Sequence, residues 1–263
     1  MRRAGAAAAR AASTAAIFRE SAANKTGLSH ALDGTMRSGA HDMKVFGAGT
    51  LAALASRSRA LEFLQGHRHV YCAMEQHLDA CAPGSATGAL WQRVGGALRR
   101  GEALTSDVVA LGGSVHAAPS PATRSYVQRL AAAAAAPVPL LLSHFYVRYF
   151  ADLFGGSVLG MPTRAALQLP ATPAFYVHSA TVTSDRRAFI ESLYSALNAA
   201  GAGLSESETK ALVAEAEAAF AANAELYREA APAGTGLAGL FGLAVVGGAR
   251  VAGGLALEKL KGR

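Results

Sequence analysis

Residues 141–160 read LLSHFYVRYFADLFGGSVLG, and the rest of the chain is best interpreted around them. The stretch is apolar enough for a buried helix, yet it carries Arg148 and Asp152 one helical turn apart, followed by Gly155 and Gly156. A buried charge is costly unless it is paired or hydrogen-bonded. A glycine inside a helix costs roughly 1 kcal/mol relative to alanine. Both features predict that something large lies against this helix.

Helical spacing places Tyr149, Asp152 and the glycine pair on one side, so the C-terminal half of that side has no side chain. A flat ligand could then touch the backbone, the helix could bend at Gly155 and Gly156, and Asp152 could hold water. The alternative is close packing of a second helix through Ala151 and the two glycines. Spacing alone favours this alternative.

The composition indicates a globular protein. The chain has 263 residues, of which 51% are hydrophobic and 16% charged, enough for one domain of about 200 residues with extensions, or for two small domains. The net charge of +7 owes much to basic residues before position 26, and no basic run with interleaved aromatics follows. Nucleic-acid binding is therefore not expected. Cys72 and Cys81 have no metal or redox spacing, which is typical of reduced thiols.

Residues 1–26 are rich in Arg, Ala and Ser and contain one acid, Glu20. This composition is typical of an organelle transit peptide and predicts a disordered segment. An ordinary disordered tail of biased composition is the alternative. Composition alone does not separate a plastid signal from a mitochondrial one.

Residues 232–263 form a glycine-rich apolar tail that Arg250 interrupts. A membrane span needs about twenty predominantly apolar residues, so the arginine and the glycines argue against a stable span. An interfacial or weakly inserted helix that ends in Lys259 and Lys261 is comparably favoured. The sequence thus permits weak membrane association through the tail without predicting it.

The body between these ends has helical periodicity, with a helix predicted over Leu51–Leu64 and a capping box of Ser205 and Glu208 opening a late helix. Phe175–Thr183 has strand-like composition, but a single strand makes no sheet, so we expect an extended loop.

Three histidines cluster at His67, His69 and His77, near Glu75. Their spacing lacks a metal motif, and they are predicted to be partly exposed helix residues.

Five segments together resemble the heme oxygenase family. YVRYFADLFGG resembles the distal-helix signature of that family, and the other four follow the family's order over about residues 28–230: LSHALDGTMRSGAH, HVYCAMEQHLD, PATRSYVQRL and AFAANAELYREA. The resemblance implies an all-α, single-domain bundle over residues 27–231. Heme would lie between the first helix and the kinked, glycine-rich distal helix.

The resemblance also implies site residues. His41 would be the iron ligand, with His30 as a weaker alternative because the register of the first helix needs one extra residue. Asp152 would order a distal water network, and Gly155 and Gly156 would let the backbone approach the macrocycle. Three further residues match family positions beside the heme: Tyr146, Arg148 and Phe220.

Two departures from the family pattern concern the proximal side and the heme carboxylates. Asp42 follows His41 where the family has threonine, and Glu191 and Ser195 align with cationic positions. Arg37, Arg186 and Arg187 are the available propionate partners.

The resemblance implies an enzyme that cleaves heme to biliverdin, carbon monoxide and ferrous iron. It would use O2 and electrons from ferredoxin or a reductase, with heme as both substrate and cofactor. Family analogy favours a plastid over a mitochondrion. The alternative is a heme-binding or scaffold protein that has lost turnover, which the departures motivate and the joint retention of His41 and Asp152 opposes.

Overall fold

The computed structural model describes residues 20–37, 43–229 and 237–261, and within these ranges it contains helices and no strand. The predicted all-α class is therefore confirmed. The main helices, in chain order, are α1 Gly27–Arg37, α2 Met43–Ala53, α3 Arg57–Asp79, α4 Ala86–Leu98, α5 Gly101–Ala110, α6 Pro121–Ala135, α7 141–154, α8 Gly160–Leu167, α9 Ala180–Thr183, α10 Arg186–Gly201, α11 Glu206–Glu229 and α12 Leu237–Lys261.

Helix α7 is the centre of the domain, and its interior is irregular. A regular turn over Leu141–Phe145 is followed by a π-helical turn over Tyr146–Phe150, and a last α turn ends at Phe154. A 3-10 turn, Gly156–Val158, then leads into α8. The predicted bend at the glycine pair is confirmed. The π turn was not predicted, because its hydrogen bonds leave no mark on the apolar periodicity.

Aromatic rings of several neighbouring helices pack against α7. They come from α3, α4, α6 and α10, with ring centroids 4.9 to 5.7 Å apart in the pairs Tyr71–Tyr149, Trp91–Tyr149, Tyr126–His144 and Phe150–Tyr194. Burial of these rings contributes a large apolar area to the core. It fixes the direction in which the end of α7 points.

The helix predicted over Leu51–Leu64 is wrong, because the chain breaks between α2 and α3. Ser56 is the N-cap of α3, and its side chain accepts a hydrogen bond from the Arg59 backbone at 3.2 Å. The predicted capping box is confirmed, since Ser205 N donates to Glu208 Oε2 at 2.8 Å and Glu208 N donates to Ser205 Oγ at 3.2 Å.

The folded domain begins before the boundary predicted at residue 26. Ser21 and Asn24 are buried, Asn24 donates a hydrogen bond to Asp33 on α1, and the backbone N–H of Ala23 donates to Glu191 on α10 at 2.7 Å. These polar contacts hold residues 21–25 on the bundle. Composition alone did not reveal them.

The region predicted as an extended loop is also partly helical. A 3-10 turn, Ala174–Tyr176, and helix α9 occupy most of it. Asp107 on α5 accepts hydrogen bonds from the backbone N–H groups of Ala174 at 2.7 Å and Phe175 at 2.8 Å. This carboxylate fixes the turn and directs Phe175 inward.

The C-terminal helix α12 docks on the domain through two glycines. A Cβ at Gly247 would lie 1.7 Å from the Leu51 carbonyl oxygen of α2, and one at Gly254 would lie 2.0 Å from the Ala165 carbonyl oxygen of α8. The stretch Phe241–Leu260 is also long and apolar enough to cross a membrane, by length and composition. Its outer face exposes Val245 at 72%.

Candidate functional site

A cavity of about 430 Å³ lies beside the glycine bend. Helices α2, α3 and α11, the end of α7 and the 174–176 turn form its walls, which are largely apolar. The lining residues are Phe46, Gly47, Thr50, Leu51, Phe63, His67, Arg148, Ala151, Asp152, Gly155, Gly156, Val158, Leu159, Phe175, Tyr176, Phe220, Asn223 and Tyr227.

The glycine pair forms a bare wall of this cavity. A Cβ at Gly155 would meet nothing among the described residues closer than the Ala151 carbonyl oxygen at 3.4 Å. At Gly156 the closest atom is Asp152 Oδ1 at 3.5 Å. Close packing of a second helix, which spacing alone favoured, is therefore wrong. Within the described part of the chain, the backbone at this bend faces open space that a flat molecule can fill.

Asp152 is the acidic group at this end of the cavity. Its carboxyl accepts a hydrogen bond from the Tyr71 hydroxyl, which α3 supplies. Burial raises the pKa of Asp152 to about 6, against the opposing effects of the Arg148 charge and the Tyr71 hydrogen bond. Near neutral pH a part of the population is thus protonated, so this carboxyl can both accept and release a proton.

Arg148 provides a fixed positive charge next to that carboxyl. Its side chain is 3% exposed, and its Nη1 donates a hydrogen bond to Asn223 Oδ1 on α11. The guanidinium carbon lies 4.7 Å from the centroid of the Tyr71 ring. The Nε of Arg148 has no hydrogen-bond partner among residues 20–37, 43–229 and 237–261. It is therefore a buried donor whose hydrogen-bonding capacity is not met by these residues.

A second buried acid supports the site from behind. Glu75 accepts hydrogen bonds from the Arg100 backbone at 2.6 Å and the Gly101 backbone at 3.2 Å, where α5 begins, and from the Tyr149 hydroxyl at 3.2 Å. This arrangement ties α3, α5 and α7 together.

Five of the residues predicted from the sequence line the same cavity: Arg148, Asp152, Gly155, Gly156 and Phe220. Two others, Tyr146 and Arg186, are placed elsewhere. Tyr146 is not among the lining residues, and its hydroxyl donates to Asp33 on α1. Arg186 does not line the cavity either. His41 lies outside the described residues, as does the side chain of Arg37.

The structure adds His67 and Tyr71 to the site. The expectation that His67 is partly exposed is wrong, since its side chain is 2% exposed and lines the cavity. It lies one turn before Tyr71 on the buried face of α3. From Tyr71, helical spacing leads back one turn to His67 and two turns to Phe63, and this apolar pattern is the signal that indicates a buried His67.

Comparison with known proteins identifies the family of this chain. The family described as heme oxygenase matches residues 40–229. This chain belongs to the heme oxygenase family. Curated relatives of this heme oxygenase family member include heme oxygenase 2 of Synechocystis, 38% identical over 114 residues, which are 42% of this chain and 45% of the relative. A heme oxygenase of Rhodella violacea is 32% identical over 111 residues, 42% of this chain and 46% of the relative. The matches thus span about half the length of these relatives.

Solved structures match this heme oxygenase family member over a longer range. Heme oxygenase-1 of Synechocystis in complex with heme has a TM-score of 0.66 and 26% identity, covering 78% of this chain and 92% of that one. Heme oxygenase-2 of Synechocystis in complex with heme and NO has a TM-score of 0.65 and 28% identity, covering 76% and 84%. The helical fold is therefore that of the family.

Proposed function

We propose that this chain is a heme oxygenase that cleaves heme to biliverdin, carbon monoxide and ferrous iron with O2 and reducing equivalents. One observation carries the proposal: the bare backbone of Gly155 and Gly156 faces an apolar cavity beside a buried carboxyl whose pKa is raised to about 6. When bound, heme supplies the iron at which oxygen is activated next to its own ring.

The cavity residues fit a flat, largely apolar macrocycle. A Cβ at either glycine would project into open space, so the wall is a cradle for a planar group. Phe46 and Phe175 supply aromatic walls. We propose His41 as the iron ligand, because it precedes Met43, where α2 begins, by two residues, and α2 lines the cavity. His30 is exposed on α1 and does not line it.

Side chains of this protein transfer protons and exclude bulk water. Tyr71 fixes the orientation of the Asp152 carboxyl through its hydrogen bond. Asp152 releases a proton to cavity water and takes one back, because its pKa of about 6 is close to neutral pH. Arg148, held by Asn223, keeps a positive charge beside this exchange. The apolar walls exclude other solvent and strengthen these interactions.

We propose ferredoxin or a reductase as the electron donor and a plastid as the location. Support comes from the algal and cyanobacterial relatives and from the composition of the first residues. Arg148 is the one cationic side chain among the described residues that line the cavity. Partners for the two heme propionates must therefore come from outside that lining, and we propose Arg37 and Arg186. The exposed outer face of α12 supports weak membrane association.

The test is a hemin titration of the full chain followed by turnover. We expect a Soret band with one equivalent of hemin, a changed band in His41→Ala, and biliverdin on addition of ferredoxin, its reductase and NADPH. Asp152→Asn should bind hemin and consume reductant with little biliverdin. Absence of hemin binding contradicts the proposal outright. Binding without biliverdin leaves the heme-binding or scaffold alternative.

A further inference from the structure

His67 is a buried imidazole that faces the cavity with a defined tautomer. Its Nδ1 lies 2.8 Å from the carbonyl oxygen of Phe63, one turn earlier on α3. A carbonyl oxygen only accepts hydrogen bonds, so Nδ1 carries the proton. In the neutral ring, Nε2 is then a bare acceptor. Among the described residues, none hydrogen-bonds Nε2, and His67 is one of the residues that line the cavity.

The surroundings keep this ring neutral. Burial lowers the pKa of His67 well below 6.5, and the Arg148 charge lowers it further. The rings of Phe63, Phe175 and Tyr227 surround the imidazole, with centroids 4.0, 6.0 and 5.7 Å away. None of these neighbours supplies a negative charge. A second cation beside Arg148 would be poorly stabilised, so Nε2 stays unprotonated.

Two acceptors therefore line one apolar cavity from two helices, His67 from α3 and Asp152 from α7. The Asp152 carboxyl is held by Tyr71, and His67 lies four residues before Tyr71 on α3. Water has two donor hydrogens, and most of the remaining wall offers it no partner. A water molecule in this cavity can use both of its donor hydrogens when it lies between Nε2 and the carboxyl.

We propose that His67 is a positioning residue whose Nε2 anchors ordered cavity water that connects to Asp152. The catalytic consequence rests on the proposed function, whereas the presence of this water does not. Because His67 does not take up the proton, it orients the water without competing for the proton that Asp152 releases. A leucine of similar volume would leave the water without its second acceptor.

The experiment compares His67→Leu with His67→Gln, whose amide oxygen restores an acceptor. Crystal structures of the full chain, without ligand and with hemin, should show ordered water hydrogen-bonded to residue 67 in the wild type and in H67Q but not in H67L. Hemin affinity should agree among the three within about threefold. Biliverdin formation should fall by about tenfold or more in H67L, since a positioned proton-transfer group contributes about 10²–10⁴-fold, and H67Q should recover most of it.

Three results overturn the proposal. One is equal water occupancy and equal rates in H67L. Another is a low-spin ferric spectrum in the wild type that H67L loses, which assigns His67 as an iron ligand. The third is a protonated Nε2 in ¹⁵N NMR of the wild type, a measurement that decides the matter even where H67L does not fold. If the wild type binds hemin without making biliverdin, the proposed function fails, and the crystallographic water still tests His67.

Discussion

The hydroxyl of Tyr71 on α3 donates a hydrogen bond to the carboxyl of Asp152 on α7, across 81 positions of the chain. The guanidinium of Arg148 lies over the same tyrosine ring, 4.7 Å from its centroid. One phenol thus orients the carboxyl and contacts the cation next to it. These three side chains form a single polar unit in an otherwise apolar region, and a change in one alters the electrostatics of the others.

The raised pKa of Asp152 predicts a specific dependence of stability on pH. The pKa of this carboxyl is 3.8 in the unfolded chain and about 6 in the folded protein, so the folded state binds more protons between these two pH values. Stability from this group is therefore lost as pH rises through that window. We expect Asp152→Asn to raise the free energy of unfolding by about 3 kcal/mol at pH 8. The difference should vanish at about pH 3, below the pKa of the unfolded chain. Urea denaturation at both pH values measures it, and an equal difference at the two would contradict the pKa assignment.

Asn223 should contribute more to the free energy of unfolding than an ordinary buried amide does. Its Oδ1 accepts a hydrogen bond from the buried Arg148. Removing an acceptor from a buried charged donor costs about 1.5–3 kcal/mol, so Asn223→Ala should lower the free energy of unfolding by that amount. The control is the same change in an Arg148→Leu background, where the loss should largely disappear. An unchanged loss in that background would assign the effect to packing alone.

Alanine at the bend should separate ligand binding from folding. At Gly155 and Gly156 a Cβ meets no atom closer than 3.4 Å among the described residues. The free energy of unfolding of each alanine variant should therefore lie within about 1 kcal/mol of the wild-type value. Hemin affinity should fall about tenfold or more, because one methyl group in a tight pocket is worth about 1–3 kcal/mol. Gly96→Ala, on the exposed face of α4, is the matched control and should leave hemin binding unchanged. Equal affinities in all variants would remove the glycine wall from the site.

Neighbouring glycines on α12 offer a matched test of its docking. A Cβ at Gly247 would overlap the Leu51 carbonyl, whereas Gly248 has open space around it. Overpacking against backbone costs about 1–3 kcal/mol, so we expect Gly247→Ala to speed amide exchange in α12 and Gly248→Ala to slow it slightly or leave it unchanged. Identical exchange in the two variants would show that α12 does not dock through this face in solution.

The fold and much of the cavity could be predicted from the sequence, and the reasons are local. The glycine pair after Asp152 predicts a bend and a bare face, and the structure shows both. Five matching segments in order predicted an all-helical bundle. These signals lie within single helices, where spacing determines which residues share a face.

The partners of the polar side chains could not be predicted in the same way. Arg148 and Asp152 are one turn apart, yet the hydrogen bonds go to Asn223 and from Tyr71, which other helices supply. The burial of His67 likewise depends on Phe175 and Tyr227, both far along the chain. Composition misplaced the N-terminal boundary for the same reason, because Glu191 on α10 holds Ala23.

The π turn over Tyr146–Phe150 sets the rotational phase of everything that follows it in α7. A π turn accommodates one residue more than an α turn, and one residue corresponds to a rotation of about 100° around the helix axis. The aromatic residues before it are thereby aligned with the core, while Asp152 and the glycines after it are aligned with the cavity. Converting this turn to a regular α turn at unchanged chain length would swing the carboxyl and the bare wall away from the cavity together, whereas deleting one residue at the same time would keep both in place. The geometry of the site is thus encoded as a count of residues as well as a choice of side chains.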